Sequence, residues 1–592
     1  MKQYTIEYGD KQFLASEYQN MIFDNVEHGS GNMTISAAAG AAKSTTIINC
    51  IKIIDQKKKV LFIAFNKDIV ESIRKKVGDK KNAKISTFHS LGYSILAENM
   101  GRVTKSMDFV NEFKYRNYIK KNIDKLTKFG EIGTLGKNKY NYINNIIDLV
   151  EYSRYYLAFS TKEIERISRK YGLALCRDEV DVCKEVLKWG KENTNQIDYT
   201  DMIWLPNVLN FNTKKYLFNW ILIDEAQDTS IAEQQLIKKC FKRGARFIAV
   251  MDQFQQINIW AGSSDEAIDN FKNYPNTKEF ILPITYRCPK KIVELAKDYS
   301  NNIIAADNAI EGEINYDVSI NAPSSNDMVL CRTTAPLVDL HLKYMRINKK
   351  SYIKGFENIR DNYVSLIKTA YATNIDVNCK TTSGLFTKLY KNLFRQIEIV
   401  KKMYGLDEDD AMMHESVYSM YDSIQGIKAI AEGLNTVDEL VDKINIVFSG
   451  DESDAVQLST IHKAKGLEAD NIYILLPSLM PLKFAKKDWE IKTEKNLIYV
   501  AYTRAKKTLN FIKEDKNTFG YINGGYDPSN IRHAIKRIQK QLNFNSKDEI
   551  DKKLEKPKKL NEKANVPTIT NKVPKGKKNK KKAASKYAKF LR

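Results

Sequence analysis

Several features are missing from this chain, and their absence narrows what the protein does. None of the seven cysteines, at positions 50, 176, 183, 240, 288, 331 and 379, forms a Cys-x-x-Cys pair. We therefore expect buried reduced thiols and neither a disulfide framework nor a cysteine-bound metal. No run of about 18 apolar residues occurs, so no membrane-spanning helix and no membrane partner are expected. The first residues lack an apolar signal core, which predicts an intracellular protein.

Acidic residues are also in short supply. The chain has 95 Lys and Arg against 72 Asp and Glu, a net charge of +23. Residues 552–592 contain fifteen lysines and one arginine against two glutamates, a net +14. We expect residues 546–592 to form a disordered basic tail. The charge predicts a polyanionic partner, and the apolar Tyr587, Phe590 and Leu591 leave open a protein partner for the tail.

The chain is too long for one hydrophobic core, and its patterns divide it into several domains. Short apolar strands alternate with helices in residues 1–99 and 198–280, and again in 281–357 and 451–545. This order predicts two parallel, helix-covered sheets and an α/β fold. Residues 100–197 and 358–450 are strand-poor and amphipathic, so each is predicted to be a helical domain inserted into one of the two cores.

Residues Ala37 to Ser44 have the layout of a phosphate-binding loop between a strand and a helix. In such loops backbone N–H groups cradle phosphates, a lysine neutralises their charge and a hydroxyl binds Mg²⁺. Lys43 and Ser44 occupy these two positions, but Ala37 and Ala42 stand where glycine is usual. An alanine at a left-handed position costs about 1–2 kcal/mol. By itself, the segment fits the start of an alanine-rich helix equally well.

A second segment changes this balance. The apolar run Trp220–Ile223 leads directly into Asp224 and Glu225. Nucleotide hydrolases use such a pair to bind Mg²⁺ with one carboxylate and to orient water with the next. We therefore expect Asp224 to share Mg²⁺ with Ser44 and Glu225 to polarise the attacking water. Gln255 follows the next strand and is placed to sense the γ-phosphate.

These segments belong to an ordered series that spans residues 18 to 505. With it, the chain resembles the superfamily 1 helicases of the UvrD/Rep type, close to the branch that includes the F-box DNA helicase. The matching segments are Tyr18–Gln19, Ala37–Ser44, Phe65–Lys67, Thr87–Leu91, Asp198–Met202, Asp224–Asp228, Asp252–Gly262, Thr285–Arg287, Leu458–Glu468 and Leu497–Ala505.

The resemblance implies two RecA-like motor cores that bind ATP and Mg²⁺ between them. It assigns adenine recognition to Gln19, ribose binding to Glu468 and arginine-finger roles to Arg287 and Arg504. The catalytic residues it implies are Lys43, Asp224, Glu225, Gln255, Arg287 and Arg504. The nucleotide-binding residues it implies are Gln19, Ala37, Ala38, Ala39, Gly40, Ala41, Ala42, Lys43, Ser44, Thr45, Arg287, Glu468 and Arg504.

The resemblance also implies contact with single-stranded and duplex DNA. The matching DNA-binding positions are Phe65, Asn66, Phe88, His89, Trp260 and His462. Base stacking on aromatic rings tolerates any sequence, as a translocating motor requires. The implied function is an ATP-dependent DNA translocase and helicase, moving 3′→5′, in replication, repair or recombination. Its expected location is the cytoplasm, at the nucleoid, or the host cytoplasm if a phage encodes it.

Two other interpretations stay open at this point. The loop has Ala38 and Ala42 where the family usually has glycine, so the chain could be a nucleic-acid-binding scaffold with a degenerate, weakly active ATPase site. An RNA-directed motor is the third interpretation. ATP turnover in the presence of single-stranded DNA separates the first two, and comparison of DNA with RNA stimulation decides the third.

Overall fold

A computed structural model describes residues 2–8, 11–64, 67–78, 80, 82–100, 109–127, 139–171, 173, 178–259, 262, 266–372, 381–404, 406–449, 453–482, 485, 488–514 and 531–542. The predicted basic tail, 546–592, lies outside these residues.

Strands and helices alternate at the start of the chain and return to this order after a helical segment. The first elements are β1 (Thr5–Tyr8), β2 (Lys11–Leu14), α1 (Glu17–Glu27), β3 (Asn32–Ala37), α2 (Lys43–Ile53), β4 (Val60–Ile63), α3 (Lys67–Val77), β5 (Ala83–Ser86) and α4 (Phe88–Met100). The helical segment comprises α5 (Lys114–Leu126), α6 (Lys139–Tyr156), α7 (Thr161–Tyr171), α8 (Glu179–Glu192) and α9 (Tyr199–Val208). Then follow β6 (Phe218–Ile223), α10 (Ile231–Lys238), β7 (Phe241–Met251), α11 (Ala267–Lys272) and β8 (Thr277–Leu282).

The first sheet is parallel, with strand order β5-β4-β6-β7-β3-β8. Every residue of the short strand β4 is buried, as expected for a strand covered on both faces. Because all strands run in one direction, their carboxyl ends meet at one edge of the sheet. The loops after β3, β6 and β7 therefore lie side by side at this edge.

Helices α5 to α9 form a hydrophobic cluster of their own around Trp204, Ile146 and Val186. A buried ionic cluster connects α5 and α6 to the start of α9. Arg154, 1% exposed, donates to Asp198 at 2.7 Å and to Asp201 at 3.2 Å. Lys114 donates to the other oxygen of Asp201 at 2.7 Å. These pairs fix the positions of α5 and α6 relative to the start of α9, and loss of one partner would leave an uncompensated buried charge.

The second half of the chain repeats the arrangement. Its elements are β9 (Ile284–Thr285), α12 (Lys290–Ala296), β10 (Ile304–Ala305), β11 (Glu313–Val318), β12 (Met328–Cys331), α13 (Ala335–Arg346), β13 (Ser351–Ile353), α14 (Phe356–Ala372), α15 (Thr382–Tyr404), α16 (Glu408–Met412), α17 (Glu415–Ile430), α18 (Val437–Val447), β14 (Val456–Thr460), β15 (Ala469–Leu475), α19 (Asp488–Tyr502), β16 (Ala505–Ile512) and α20 (Ile531–Gln541). The second sheet is also parallel, in the order β11-β16-β15-β12-β14-β13.

The structure confirms the predicted α/β class with two parallel-sheet cores. The predicted domain limits stay a prediction. Five cysteines, at positions 50, 183, 240, 288 and 331, are free and buried, as expected, while Cys176 and Cys379 lie outside the described residues. Among the described helices, none is both long and apolar enough to cross a membrane.

Candidate active site between the two sheets

The loop after β3 turns sharply before α2 begins at Lys43. Gly40 has a φ of +72°, and a Cβ there would lie 2.6 Å from the Cβ of Arg287. The backbone of Tyr286 binds the same turn, its N–H donating to the Gly40 carbonyl at 3.0 Å. The loop is therefore pressed against the 285–287 segment, and only glycine fits at position 40.

The two alanines that depart from the family pattern differ in conformation. Ala42 has φ +56° and ψ +34°, a left-handed conformation that favours glycine. Ala38 is not among the residues with positive φ, and its N–H donates to the Leu282 carbonyl at 2.9 Å. Of these two alanines, only Ala42 therefore has a strained left-handed backbone, and the effect of either alanine on nucleotide affinity stays a prediction.

The carboxylates after β6 face this loop. Lys43 Nζ lies 3.3 Å from Glu225 Oε1. From the second sheet, Lys465 Nζ lies 3.6 Å from Glu225 Oε2, pairs with Asp228 and donates to the Gln255 carbonyl at 2.8 Å. Glu225 is thus held between two ammonium groups that come from different sheets.

Burial and charge act in opposite directions on these groups. Burial alone would raise the pKa of Glu225, but Lys43 and Lys465 outweigh it and hold that pKa well below its usual range. Burial and the neighbouring Glu225 raise the pKa of Asp224. The pKa of Lys43 is raised in spite of its burial because Glu225, Asp252 and Asp224 surround it. Lys43 therefore stays cationic and Glu225 anionic, as their expected roles require.

A chain of hydrogen bonds runs from Glu225 to the second sheet. Gln227 donates to Glu225 Oε2 at 2.6 Å and accepts from the N–H of Asp252 at 3.0 Å. Gln255 Nε2 donates to Asp252 Oδ2 at 2.5 Å, and Arg504 Nη2 donates to Gln255 Oε1 at 3.0 Å. A change in charge near Glu225 can therefore be transmitted to Arg504 through polar contacts alone.

The predicted arginines lie on the second-sheet side of this network. Arg504 is 1% exposed and donates to the Val500 carbonyl at 2.9 Å. Burial, together with nearby Arg287, lowers the pKa of Arg504 to about 10. Arg287 donates to Glu468 at 2.6 Å, and Lys506 lies 2.8 Å from the same carboxylate. Arg287, Glu468 and Arg504 are thus brought together beside the phosphate loop.

Gln19 lies at the start of α1 and is 1% exposed. Its Oε1 accepts from the N–H of Ser16 at 3.0 Å, closing a capping box, and its Nε2 donates to Thr46 at 3.0 Å. Both polar atoms are engaged within the protein. Each atom can make a further hydrogen bond, and adenine recognition by this side chain stays a prediction.

Sequence reasoning missed four side chains of this site. Lys465 and Asp252 bind the network described above, and the hydroxyl of Tyr499 accepts from the Ala39 N–H at 3.1 Å. The Tyr286 ring is 54% exposed beside the loop, as a platform for a base would be. All four lie inside the matched segments, which was the one available signal, since spacing alone gave them no role.

The predicted DNA-contact residues that the structure describes differ in their exposure. His89 is exposed and packs edge-on to Tyr199, with ring centroids 6.1 Å apart. His462 is partly buried, and burial together with Arg332 lowers its pKa to about 3, so its ring is neutral. Phe88 is 6% exposed and packs within a hydrophobic cluster of the first sheet, and its contact with DNA stays a prediction. Phe65, Asn66 and Trp260 lie outside the described residues.

Two family models match this chain. One, the UvrD/REP helicase N-terminal domain, matches residues 19–276, and the other, the UvrD-like helicase C-terminal domain, matches residues 455–512. The matched stretches contain the phosphate loop and the acidic pair in the first case, and Glu468 with Arg504 in the second. Together they cover just over half of the chain.

Named relatives extend the similarity beyond the matched domains. The ATP-dependent DNA helicase Rep of Buchnera aphidicola subsp. Acyrthosiphon pisum is 22% identical over 633 aligned residues, covering 84% of this chain and 95% of that protein. The ATP-dependent DNA helicase PcrA of Staphylococcus aureus strain Mu50 is 22% identical, covering 81% of this chain and 80% of the relative. That of Bacillus subtilis strain 168 is 26% identical over 46% of this chain and 38% of the relative.

Proposed function

Because this chain belongs to the UvrD/Rep family of superfamily 1 helicases, we propose that it is an ATP-dependent DNA translocase and helicase. One observation carries the proposal: a continuous polar network joins Lys43 and Glu225 of the first sheet to Lys465 and Arg504 of the second. A binding scaffold has no need for this set of charges. A motor needs these charges, because both cores must contact the γ-phosphate at the same time.

Each charged residue then has a chemical task. Lys43 binds the β- and γ-phosphates. Glu225 accepts a proton from the attacking water, and Gln255 senses the γ-phosphate. Arg504 and Arg287 stabilise the charge that develops as the γ-phosphate leaves, which is worth a factor of about 10³ or more in rate. ATP binding draws the two cores together, and hydrolysis releases them.

The oxygen donors near the loop fit Mg²⁺. Ser44 supplies a hydroxyl at the start of α2, and Asp224, 6% exposed, supplies a carboxylate. Hard oxygen ligands supplemented by phosphate oxygens are what Mg²⁺ prefers. Mg²⁺, when bound, would neutralise charge on the β- and γ-phosphate oxygens. Asp224 must be ionised for this task, and its raised pKa predicts that Mg²⁺ binding weakens as the pH falls.

The degenerate-scaffold alternative has one observation in its favour, the left-handed Ala42. The left-handed conformation of Ala42 costs about 1–2 kcal/mol. This cost is small, and all the predicted catalytic residues are retained. ATP turnover with single-stranded DNA decides between the two functions. The assay compares wild type, Lys43→Ala and, as a surface control, Lys297→Ala, whose exposed lysine pairs with Glu294. We expect DNA-stimulated turnover that is lost in Lys43→Ala only. Equal turnover in all three proteins would refute the motor.

We further propose 3′→5′ movement in replication, repair or recombination, on the strength of the family resemblance. Strand displacement on duplexes with a 3′ or a 5′ single-stranded tail, in the presence of ATP, measures the direction. Displacement from the 3′-tailed duplex alone is expected. Displacement from the 5′-tailed duplex alone would reverse the assignment, and RNA stimulation above DNA stimulation would change the substrate.

A further inference from the structure

Lysines collect at one end of the first sheet, opposite the edge that holds the phosphate loop. Lys57–Lys59 precede β4, Lys214 and Lys215 precede β6, and Lys242 and Arg243 lie in the first residues of β7. All seven are exposed. We call these three segments the basal face. Since β4, β6 and β7 are neighbours in a parallel sheet, their amino ends are side by side, about 5 Å apart per strand.

Backbone contacts fix the segments next to each other. The Asn219 N–H donates to the Lys59 carbonyl at 2.8 Å, and the Phe218 N–H donates to the Cys240 carbonyl at 2.9 Å. The pairing of β6 with β7 shifts in register between Phe218 and Trp220 of β6. Lys242 and Arg243 lie in the extra residues of β7 that bulge from the ladder at this point. The face is therefore a built feature of the sheet rather than a chance group of loops.

The cations of this face have no carboxylate partners among the described residues. No ion pair joins the side chains of 57–59, 214–215 or 242–243 to a described acid, whereas ion pairs are frequent elsewhere on the surface. The two acids nearby are engaged with backbone. Asp55 accepts from the Lys57 N–H at 2.8 Å, and Glu98 accepts from the N–H groups of Lys214 and Lys215 at 3.0 and 3.2 Å.

The surroundings indicate what kind of partner fits. None of the large exposed hydrophobic side chains of the described residues lies in the stretches that flank these cations, 54–60, 211–219 and 240–245. The nearest ring, Tyr216, is partly buried, with Lys84 Nζ 4.0 Å and Lys215 Nζ 5.6 Å from its centroid. A stable protein interface needs an apolar centre, and unpaired bases need exposed rings to stack on. Neither is present, while unpaired lysines on flexible stems suit phosphate oxygens.

We propose that the basal face binds the phosphate backbone of duplex DNA, as a second contact separate from the motor cleft. It goes beyond the proposed helicase activity, which uses the opposite edge. Strands of four to six residues place the two edges about 13–20 Å apart. Duplex bound here would leave the nucleotide site open, and it would hold the enzyme on DNA while the cleft releases and rebinds its strand.

The test compares two quadruple variants of the full chain. In the first, Lys58, Lys214, Lys215 and Lys242 are replaced by Gln. In the control, the same substitution is made at four ion-paired surface lysines: Lys272, Lys290, Lys297 and Lys507. All proteins keep the same basic C-terminal residues, so differences report the substituted positions. Binding of a blunt duplex and of an oligothymidylate is measured across salt concentrations without ATP, alongside oligothymidylate-stimulated ATPase.

We expect the first variant to bind the duplex at least about tenfold more weakly at low salt, with a salt slope reduced by about three. Its stimulated ATPase should match the control. Duplex affinity and slope equal to the control would overturn the proposal, as would a greater loss on oligothymidylate than on duplex. Binding of poly-L-glutamate is measured in the same way. If the first variant keeps its DNA binding but loses poly-L-glutamate binding, the basal face would be assigned to an acidic protein instead. Absence of ATPase in wild type would refute the proposed motor without affecting this comparison.

Discussion

The two sheets share an architecture but contribute opposite charges to the cleft between them. The first sheet supplies Asp224, Glu225, Asp228 and Asp252 at the carboxyl ends of its strands, with one internal cation, Lys43. The second sheet answers with Lys465 and the buried Arg504. Without Lys465 of the second sheet, the buried Asp228 would lack a cation, which is unfavourable. The site is therefore complete only when both sheets contribute to it. We expect its assembly to depend on the bound nucleotide.

The strongest way to break the pair is to remove the cation that lies deepest. We expect Arg504→Ala to lower the kcat for DNA-stimulated ATP hydrolysis by a factor of about 10³ or more, because charge in the transition state loses its partner. Nucleotide binding, measured by a fluorescent ATP analogue, should change far less. Arg346→Ala is the control, since the side chain of Arg346 is 59% exposed and pairs with the exposed Glu432. A similar kcat for both variants would contradict the role of Arg504.

A smaller loss is expected from the first-sheet side. Glu225→Gln removes the proton acceptor but keeps the size of the side chain, and single-turnover hydrolysis should slow by a factor of about 10²–10³. The variant should still bind ATP and single-stranded DNA. Glu279→Gln, at an exposed ion pair with Lys272, serves as the control. Hydrolysis at the wild-type rate in Glu225→Gln would assign the proton to another group.

Lys465 joins the two sheets directly, so its loss should appear in stability. Lys465→Ala leaves the buried Asp228 without its cation, and breaking such a pair costs about 3 kcal/mol. We expect a lower midpoint of thermal unfolding, and partial recovery when Asp228→Asn is added. Lys463→Ala is the matched control, because Lys463 donates to the Gly355 carbonyl and forms no ion pair with a described acid. Equal midpoints for the two lysine variants would show that the pair contributes nothing.

The smallest expected effect lies in the phosphate loop. Ala42→Gly relieves left-handed strain and should raise the free energy of unfolding by about 1 kcal/mol. Because the strain belongs to the loop conformation itself, the affinity for ATP should change by less than the stability. Ala38→Gly offers the control, since Ala38 lacks a positive φ and gains nothing from glycine. Equal gains from both substitutions would remove the distinction between the two alanines.

Local patterns were sufficient for the elements and their order. The apolar run Trp220–Ile223 forms the end of β6, and the loop at Ala37–Ser44 joins the strand β3 to the helix α2 as predicted. Such short apolar runs have one stable solution between covering helices. Side-chain environment was less predictable. Gln19 and Phe88 both lie in matched motifs, and the sequence did not indicate their surroundings. Gln19 takes part in a capping box, and Phe88 packs in a hydrophobic core.

The sequence by itself determined which residue types stand at the ends of the strands, because hydrophobic periodicity fixes each strand and its following loop. On this basis Lys43, Asp224, Glu225 and Gln255 were predicted to be site residues. Only the tertiary structure decided that Lys465 pairs with Asp228 from 237 residues away. Tertiary packing alone likewise put Ala42 in a left-handed turn and the seven basal cations side by side. Parallel pairing brings the ends of strands that are distant in sequence together at two opposite edges of the sheet. No local sequence pattern encodes which strands become neighbours.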